Sequence, residues 1–165
     1  MRVTRFALIG SLIAVAIGLS GQAATAEGSG GVIFSPASST KFVNVPFLPK
    51  CMAISIKQGN PTKGPFVTFA RIATGCVVPW HWHTANVELY FVSGTGTHEL
   101  QAGHIVAQVH PGDFFYLPAK SIHSFRCTST CLVYNVSDRP DIIHWVDRNG
   151  NVVSQADALV LNEGP

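Results

Sequence analysis

Short runs of alternating apolar and polar residues, separated by turns rich in Gly and Pro, dominate the chain from residue 52 onward. Such runs cover residues 52–57, 66–73, 87–92, 97–100, 105–109, 114–117, 122–126, 132–136 and 142–146. A period of two places successive side chains on opposite faces and predicts half-buried β-strands. Helical periodicity is found only weakly, at residues 154–161. The pattern therefore predicts an all-β sandwich or barrel.

The first 26 residues differ from the rest of the chain. Arg2 and Arg5 precede an apolar run over residues 6–19, and small residues ending in Ala24-Thr25-Ala26 follow that run. This order is typical of a secretory signal peptide, and the run is shorter than the roughly 20 residues of a membrane-spanning helix. We expect cleavage after residue 26 and export to the periplasm or the extracellular space; an uncleaved membrane anchor is the alternative.

Two regions are expected to follow the signal peptide. Residues 27–40 begin with a Gly/Ser-rich stretch and are predicted to form a flexible N-terminal segment. Residues 41–165 have the length of one small domain, and we expect a single β-barrel domain there.

Composition and charge narrow the range of partners. Hydrophobic residues make up 47% of the chain and charged residues 12%, which excludes a disordered polar tail. The formal net charge of +2 disappears if the signal peptide, which holds two Arg and no acidic residue, is removed. No stripe of Lys and Arg is present to neutralise phosphates. We therefore expect a small-molecule partner, with no nucleic acid and no membrane after cleavage.

Trp80 and Trp82 alternate with two histidines in a predicted strand, so they are expected to face away from them. Outward-facing tryptophans indicate contact with a second sheet or the interface of a homodimer.

Four cysteines are present in a chain that is expected to meet an oxidising compartment. Cys127 and Cys131 flank three residues that suit a hairpin loop, and Cys51 and Cys76 lie near the ends of a second predicted hairpin that turns at residues 59–61. These positions favour disulfides 51–76 and 127–131. The alternative is that some of the cysteines are buried free thiols.

Three histidines and one glutamate form the chemically informative set. His81 and His83 are two residues apart, so both imidazoles point to the same face of a strand. Glu88 follows a tight connection, and an antiparallel return would bring its carboxylate beside the pair. His123 would reach the same point if the barrel closes. This mixture of N and O ligands suits one divalent transition metal: Fe, Mn, Co, Ni or Cu, and less exclusively Zn.

The spacing of these residues resembles the first motif of the cupin superfamily, G-x5-HxH-x3,4-E-x6-G. Gly75, His81, His83 and Glu88 fall at the spacing of the motif. Gly94 arrives one residue early, because five residues rather than six separate it from Glu88.

The second cupin motif, G-x5-P-x-G-x2-H-x3-N, is similar to a segment near residue 118. Gly112, Pro118 and His123 match the motif, whereas Lys120 and Cys127 stand where the family has Gly and Asn. If Cys127 is not bridged to Cys131, its thiol is expected on the inward face, near the metal.

The resemblance implies a jelly-roll β-barrel with the metal inside, held by His81, His83, Glu88 and His123. Dioxygenase chemistry on a small organic substrate is the leading reaction class that it implies, with oxalate chemistry and superoxide dismutation as rivals. The alternative is a non-catalytic cupin that binds or senses a small ligand through its metal, and a third reading is a barrel without metal.

Further residues are expected near the reacting centre. Glu88 and Tyr90 share a strand face, so Tyr90 can hydrogen-bond a substrate; a core tyrosine is the alternative. Arg71 lies in an apolar strand and can bind a substrate carboxylate or form a salt bridge at the rim. Phe125 shares a face with His123 and is a candidate substrate contact.

Overall fold

Ten β-strands and a short C-terminal helix form the part of the chain that the computed structural model describes, residues 31–161. The elements are β1 (Met52–Gly59), β2 (Phe66–Ile72), β3 (Val77–His83), β4 (Val87–Ser93), β5 (Gly96–Leu100), β6 (Ile105–Val109), β7 (Phe114–Leu117), β8 (His123–Cys127), β9 (Cys131–Ser137), β10 (Ile143–Trp145) and α1 (Gln155–Leu161). Two 3-10 turns lie at Ala37–Ser39 and Ala102–His104. The predicted all-β class and the weak C-terminal helix are both confirmed.

The strands form two five-stranded sheets in which every described pair is antiparallel. The strand order is β1-β2-β9-β4-β7 in the first sheet and β10-β3-β8-β5-β6 in the second. Strands that follow each other in sequence, such as β2 and β3, therefore lie in different sheets. This arrangement brings residues that are distant in sequence to the same place between the two sheets.

The inner faces of the two sheets carry the apolar side chains. Along β2 the residues Phe66, Thr68, Ala70 and Ile72 are buried, and alternate with less buried residues as the period of two requires. Aromatic rings from β4 and β8 meet across the interior, with centroids 5.2 Å apart. Burial of one such side chain contributes roughly 1.5–3 kcal/mol to folding.

Trp80, which was predicted to face away from the histidines, is buried and is absent from the residues that line the cavity beside them. The pairing of β3 with β8 shifts register between Val78 and His81, and Trp80 is buried. Helix α1 lies against β3, so part of this strand is covered by the chain itself. Trp82 stacks on His144 of β10 with ring centroids 3.8 Å apart. The homodimer stays a prediction.

One of the two predicted disulfides is present. Cys51 and Cys76 are bonded, with an S–S distance of 2.07 Å and Cα atoms 5.7 Å apart. They lie at the open ends of the β1–β2 hairpin, in which Met52 pairs with Ile72. A disulfide is compatible with an exported protein.

The predicted Cys127–Cys131 disulfide is wrong, because both thiols are free and buried. The three residues between them do not form a hairpin: β8 pairs with β5 in the second sheet, and β9 pairs with β2 and β4 in the first. The Cys131 thiol donates to the carbonyl oxygen of Ser129 at 3.3 Å. Burial raises the pKa of both thiols, so they behave as small apolar side chains.

The N-terminal predictions fall largely outside the described residues. The signal peptide, residues 1–26, lies entirely outside them, and so do residues 27–30 of the predicted N-terminal segment. Within residues 31–40, the Lys57 ammonium donates to the Thr40 hydroxyl at 2.5 Å. From Phe34 onward the described chain forms one compact unit. No helix within residues 31–161 has the length and hydropathy needed to cross a bilayer.

Candidate metal centre

Three buried histidines converge between the sheets. His81 and His83 end β3, and His123 begins β8, where it is the register partner of His81. One potential ligand atom from each of the three lies within 4.8 Å of the corresponding atoms of the other two. The structure thus brings together the three histidines that the sequence singled out, at a separation that one ion can bridge.

The same nitrogen of each ring is already engaged by an oxygen of the protein. Nδ1 of His81 lies 2.6 Å from the carbonyl oxygen of Pro79, and Nδ1 of His123 lies 2.9 Å from that of Ser121. Nδ1 of His83 lies 2.5 Å from Oδ2 of Asp141. A carbonyl or carboxylate oxygen only accepts, so Nδ1 carries the proton in each ring. In the neutral form of each ring, Nε2 therefore keeps a lone pair for a ligand.

The environment of His81 and His123 keeps both imidazoles neutral. Burial, followed by the charge that His83 can carry nearby, lowers the pKa of His81 to about 3. Burial, followed by the neighbouring histidines, also lowers the pKa of His123 well below its ordinary value. A metal binds the neutral imidazole, so the site holds these two rings in their ligating form across the physiological pH range.

Asp141 orients the site from a loop between β9 and β10. Its Oδ2 accepts a hydrogen bond from Nδ1 of His83, while its Oδ1 accepts hydrogen bonds from the Ala85 amide at 3.0 Å and the Thr84 hydroxyl at 3.2 Å. Burial raises the pKa of Asp141, but these hydrogen bonds outweigh that effect and the pKa lies below its usual value. The result is a carboxylate–histidine pair of the kind that fixes the orientation and tautomer of a metal ligand.

The loop that leads into His123 is held against the end of β3. The Lys120 amide donates to the carbonyl oxygen of His83 at 2.9 Å, and the Ala119 amide donates to the Asn86 side chain at 2.9 Å. Lys120 has a φ of 67°, in the left-handed region that a Gly adopts without strain. This explains why the cupin motif has Gly at the position that Lys120 occupies.

Glu88 and Tyr90 do not face the three histidines, which corrects their prediction as ligand and catalytic residues. In β4, Val87 is completely buried and Phe91 lines the interior, so the residues between them at even positions point outward. Tyr90 is 43% exposed, and its hydroxyl donates to Glu88 Oε2 at 2.6 Å on the outer face.

The cause is a strand register that differs by one residue from the predicted one. Gly94 has a φ of 86°, and a Cβ there would lie 2.3 Å from the carbonyl oxygen of Thr130. The position of this glycine is therefore fixed by the fold. The motif places six residues between its Glu and this Gly, so the position seven residues before Gly94 is Val87 rather than Glu88. A shift of one residue moves a strand side chain to the opposite face.

A cavity of about 370 Å³ lies beside the histidines. Its wall is mostly apolar and is contributed by both sheets and by the segments that cover them, including Leu48, Phe66, Leu89, Phe91, Phe125 and Trp145. His81, His83 and His123 line the same cavity, together with His98. An ion held by the three histidines would thus face a mostly apolar cavity whose size suits a small organic molecule.

The two predicted substrate contacts lie in different places. Phe125 lines the cavity, as its alternation with His123 predicted. Arg71 is exposed on the outer face of β2, where its guanidinium lies over the ring of Phe42 at 4.9 Å from the centroid. Arg71 therefore does not contact the contents of the cavity, because its neighbours Ala70 and Ile72 take the inward face.

Sequence reasoning missed Asp141 and underestimated His98. Asp141 is 58 residues from the histidine that it contacts, and no local pattern connects the two. No motif in the sequence singled out His98, which is buried in the wall of the cavity. The early Gly94 was the signal in the sequence that Glu88 would face outward.

The comparisons with known proteins agree with this architecture. The cupin domain family matches residues 68–137. No curated protein sequence matches the chain significantly. Among solved structures, the polyketide cyclase RemF from Streptomyces resistomycificus is similar with a TM-score of 0.59 and 20% identity, over 71% of this chain and 87% of that chain.

Two further structures show the same fold. An RmlC-like cupin from Shewanella frigidimarina matches with a TM-score of 0.56 and 15% identity, over 67% of this chain and 92% of its own. KdgF from a Halomonas species matches with a TM-score of 0.54 and 19% identity, over 64% and 94% of the two chains. Residues 68–137 thus match the cupin domain, and the two antiparallel sheets have a cupin-like fold.

Proposed function

We propose that this protein is a metal-dependent cupin enzyme in which His81, His83 and His123 hold one divalent transition metal. The observation that supports it best is that one ring nitrogen from each of the three histidines lies within 4.8 Å of those of the other two, while every Nδ1 atom is hydrogen-bonded to a protein oxygen and leaves Nε2 for a ligand. Packing alone would not require that all three rings leave the same nitrogen, Nε2, without a protein hydrogen bond. The set includes no carboxylate, so the ion keeps its full charge and coordination positions remain for an exogenous ligand.

The reaction that we propose is oxidation of a small organic substrate, of the dioxygenase type. When bound, Fe, Mn, Ni, Co or Cu supplies a Lewis-acid centre, and those with accessible oxidation states also supply electrons; Zn would supply the Lewis acid only. The chain's own contribution is to orient three imidazoles, to keep His81 and His123 unprotonated, and to exclude water with an apolar wall.

Binding without catalysis is the second function that an observation favours. Glu88 and Tyr90, the predicted catalytic groups, lie on the outer face. Asp141 lines the cavity, but both of its oxygens are engaged by hydrogen bonds within the protein. Among the described residues that line the cavity, no carboxyl group is therefore free, which suits a sensor or carrier that holds its ligand on the ion.

Metal content tests the first step of the proposal. The protein is purified, loaded separately with Fe²⁺, Mn²⁺, Ni²⁺, Co²⁺, Cu²⁺ and Zn²⁺, and its bound metal measured by elemental analysis. We expect about one ion per chain in the wild type and a large loss in His81→Ala and His123→Ala. His144→Ala is the matched control, because His144 stacks on Trp82 outside the three-histidine set. Equal metal content in all four proteins would contradict the proposal.

Oxygen consumption separates the two functions. Metal-loaded protein is supplied with phenols, diketones and oxalate while dissolved O₂ is followed with an electrode. Turnover that disappears in His81→Ala supports the enzyme. Tight metal binding with no turnover on any substrate favours the binding protein.

The site of action that we propose is the periplasm or the extracellular space, after removal of residues 1–26, with a small molecule as the partner and a homodimer as the assembly. The Cys51–Cys76 disulfide supports export. N-terminal sequencing of the protein from its native compartment tests cleavage, and gel filtration with light scattering tests the dimer.

A further inference from the structure

His98 is the one histidine of the cavity wall whose ring nitrogens are both without a hydrogen-bond partner among the residues that the structure describes. It lies in the middle of β5, opposite Phe125 of β8, and its exposed fraction is 0%. Buried polar atoms are paired in the great majority of cases, so an unpaired imidazole that lines a cavity needs an explanation.

Aromatic rings hold His98 in place. Its centroid lies 4.4 Å from that of Phe115 and 5.2 Å from that of His123, both in edge-to-face geometry. It does not belong to the group of three whose nitrogens lie within 4.8 Å of one another. Ion binding by the three histidines therefore leaves the polar atoms of His98 unused.

An apolar side chain would serve the fold better at this position. A buried donor or acceptor without a partner costs about 1–3 kcal/mol, and an apolar group of similar shape avoids that cost. Burial also lowers the pKa of His98 to about 4, so the ring is neutral at physiological pH. A neutral imidazole offers one N–H donor and one lone-pair acceptor.

We propose that His98 recognises a hydroxyl group on a small, otherwise apolar molecule bound in the cavity, so that it sets the specificity of the site. This inference rests on the proposed function in taking the cavity as the substrate site. A hydroxyl group both donates and accepts, which matches a neutral imidazole of either tautomer.

The wall of the cavity favours a neutral ligand of this class. Among the described residues, no Lys or Arg lines the cavity, so a carboxylate on the substrate would find no cationic side chain there. Apolar residues make up most of the wall and match a hydrocarbon or aromatic body. A small phenol or aromatic alcohol satisfies both requirements.

Phenol and toluene are the probes that test the proposal. Both have one benzene ring and a similar shape, but phenol carries a hydroxyl group where toluene carries a methyl group. Dissociation constants for both are measured by titration calorimetry with wild type, His98→Leu and His98→Gln. The protein is stripped of metal with a chelator, so that phenol cannot gain affinity from an ion. His144→Leu is the matched control.

The ratio of the two dissociation constants is the readout. Loss of one hydrogen bond predicts that the preference of the wild type for phenol over toluene falls about 10-fold in His98→Leu. We expect His98→Gln to keep part of the preference, because an amide also donates and accepts, and His144→Leu to keep all of it. An unchanged ratio in His98→Leu, or no binding of either probe to the wild type, overturns the proposal.

Folding is measured on the same samples, and metal loading is measured on a portion of each protein that has not been treated with the chelator. Because His98→Leu removes an unpaired buried group, we expect a melting temperature at least equal to that of the wild type. Normal metal loading with an unchanged ratio would refute the role of His98 and leave the proposed metal site intact. If the ratio falls in His98→Leu but the wild type binds no metal, the metal site is refuted and the role of His98 is supported.

Discussion

Replacement of Asp141 by Asn changes one oxygen to an amide NH₂ and keeps the size of the side chain. If the amide oxygen stays with Ala85 and Thr84, the NH₂ group faces Nδ1 of His83, and both groups are donors. The alternative orientation sets the NH₂ group against the Ala85 amide. In the first case, pairing requires the proton of His83 to move to Nε2, which removes the lone pair that would bind the metal.

This geometry predicts the size of the loss in metal affinity. Orienting partners of metal-bound histidines typically contribute 10- to 100-fold in affinity, so we expect the Kd for Zn²⁺ or Co²⁺ to rise by that factor, or about 1.4–2.7 kcal/mol. A competition titration against a chromophoric chelator measures the Kd.

Asp138→Asn is the control for this prediction. Asp138 lies in the same loop and accepts from Asn86 and Arg139, but its side chain is 41% exposed. We expect the Kd of Asp138→Asn for Zn²⁺ or Co²⁺ to differ less than twofold from that of the wild type. If Asp141→Asn also leaves the Kd within twofold of the wild type, the reasoning from the Asp141–His83 contact is wrong.

Three further predictions concern the outer face, the loop before His123 and the pH dependence of folding. Glu88→Gln should leave the metal Kd within twofold of the wild-type value. It should also lower the pKa of Tyr90, which the hydrogen bond to Glu88 raises, and spectrophotometric titration of the phenol checks this. Clearly weaker metal binding would show that Glu88 is a metal ligand. Lys120→Gly should raise the free energy of unfolding, measured in urea, by about 0.5–1 kcal/mol, because Lys120 has a φ of 67°, which costs energy for a residue with a Cβ. The control is Lys63→Gly at an exposed position, which should lower the free energy of unfolding. A similar decrease in Lys120→Gly would show that the loop is unstrained. The metal-free protein should be most stable above pH 6.5 and lose stability below it: the unfolded chain takes up protons near pH 6.5, whereas the native pKa of His81 is about 3 and that of His98 about 4. Each contributes up to about 1.4 kcal/mol per pH unit below 6.5, so His98→Leu should flatten the decline in urea unfolding, and an unchanged slope would contradict the lowered pKa.

Local patterns in the sequence were sufficient for the elements and for part of the site. Alternation with a period of two fixes which residues can share a strand face, and this correctly placed His81 with His83 and His123 with Phe125. Such patterns need no knowledge of the partner strand, because they follow from the backbone geometry of a single extended segment.

The register between distant strands was beyond the reach of the sequence. Whether Glu88 faced inward depended on how β4 paired with β9 and where Gly94 met Thr130, and one residue decided the outcome. Likewise, β8 and β9 belong to different sheets, which left Cys127 and Cys131 without a hairpin to bridge.

The candidate metal centre therefore depends both on local sequence patterns and on the tertiary structure. The sequence by itself determined that three imidazoles and an apolar, strand-rich chain were available. Only the tertiary structure decided that Asp141 would orient His83 across 58 residues and that His98 would be enclosed in the cavity wall. The physical reason is that side-chain direction is a local property of a strand, whereas contact between strands depends on the pairing and packing of the whole barrel.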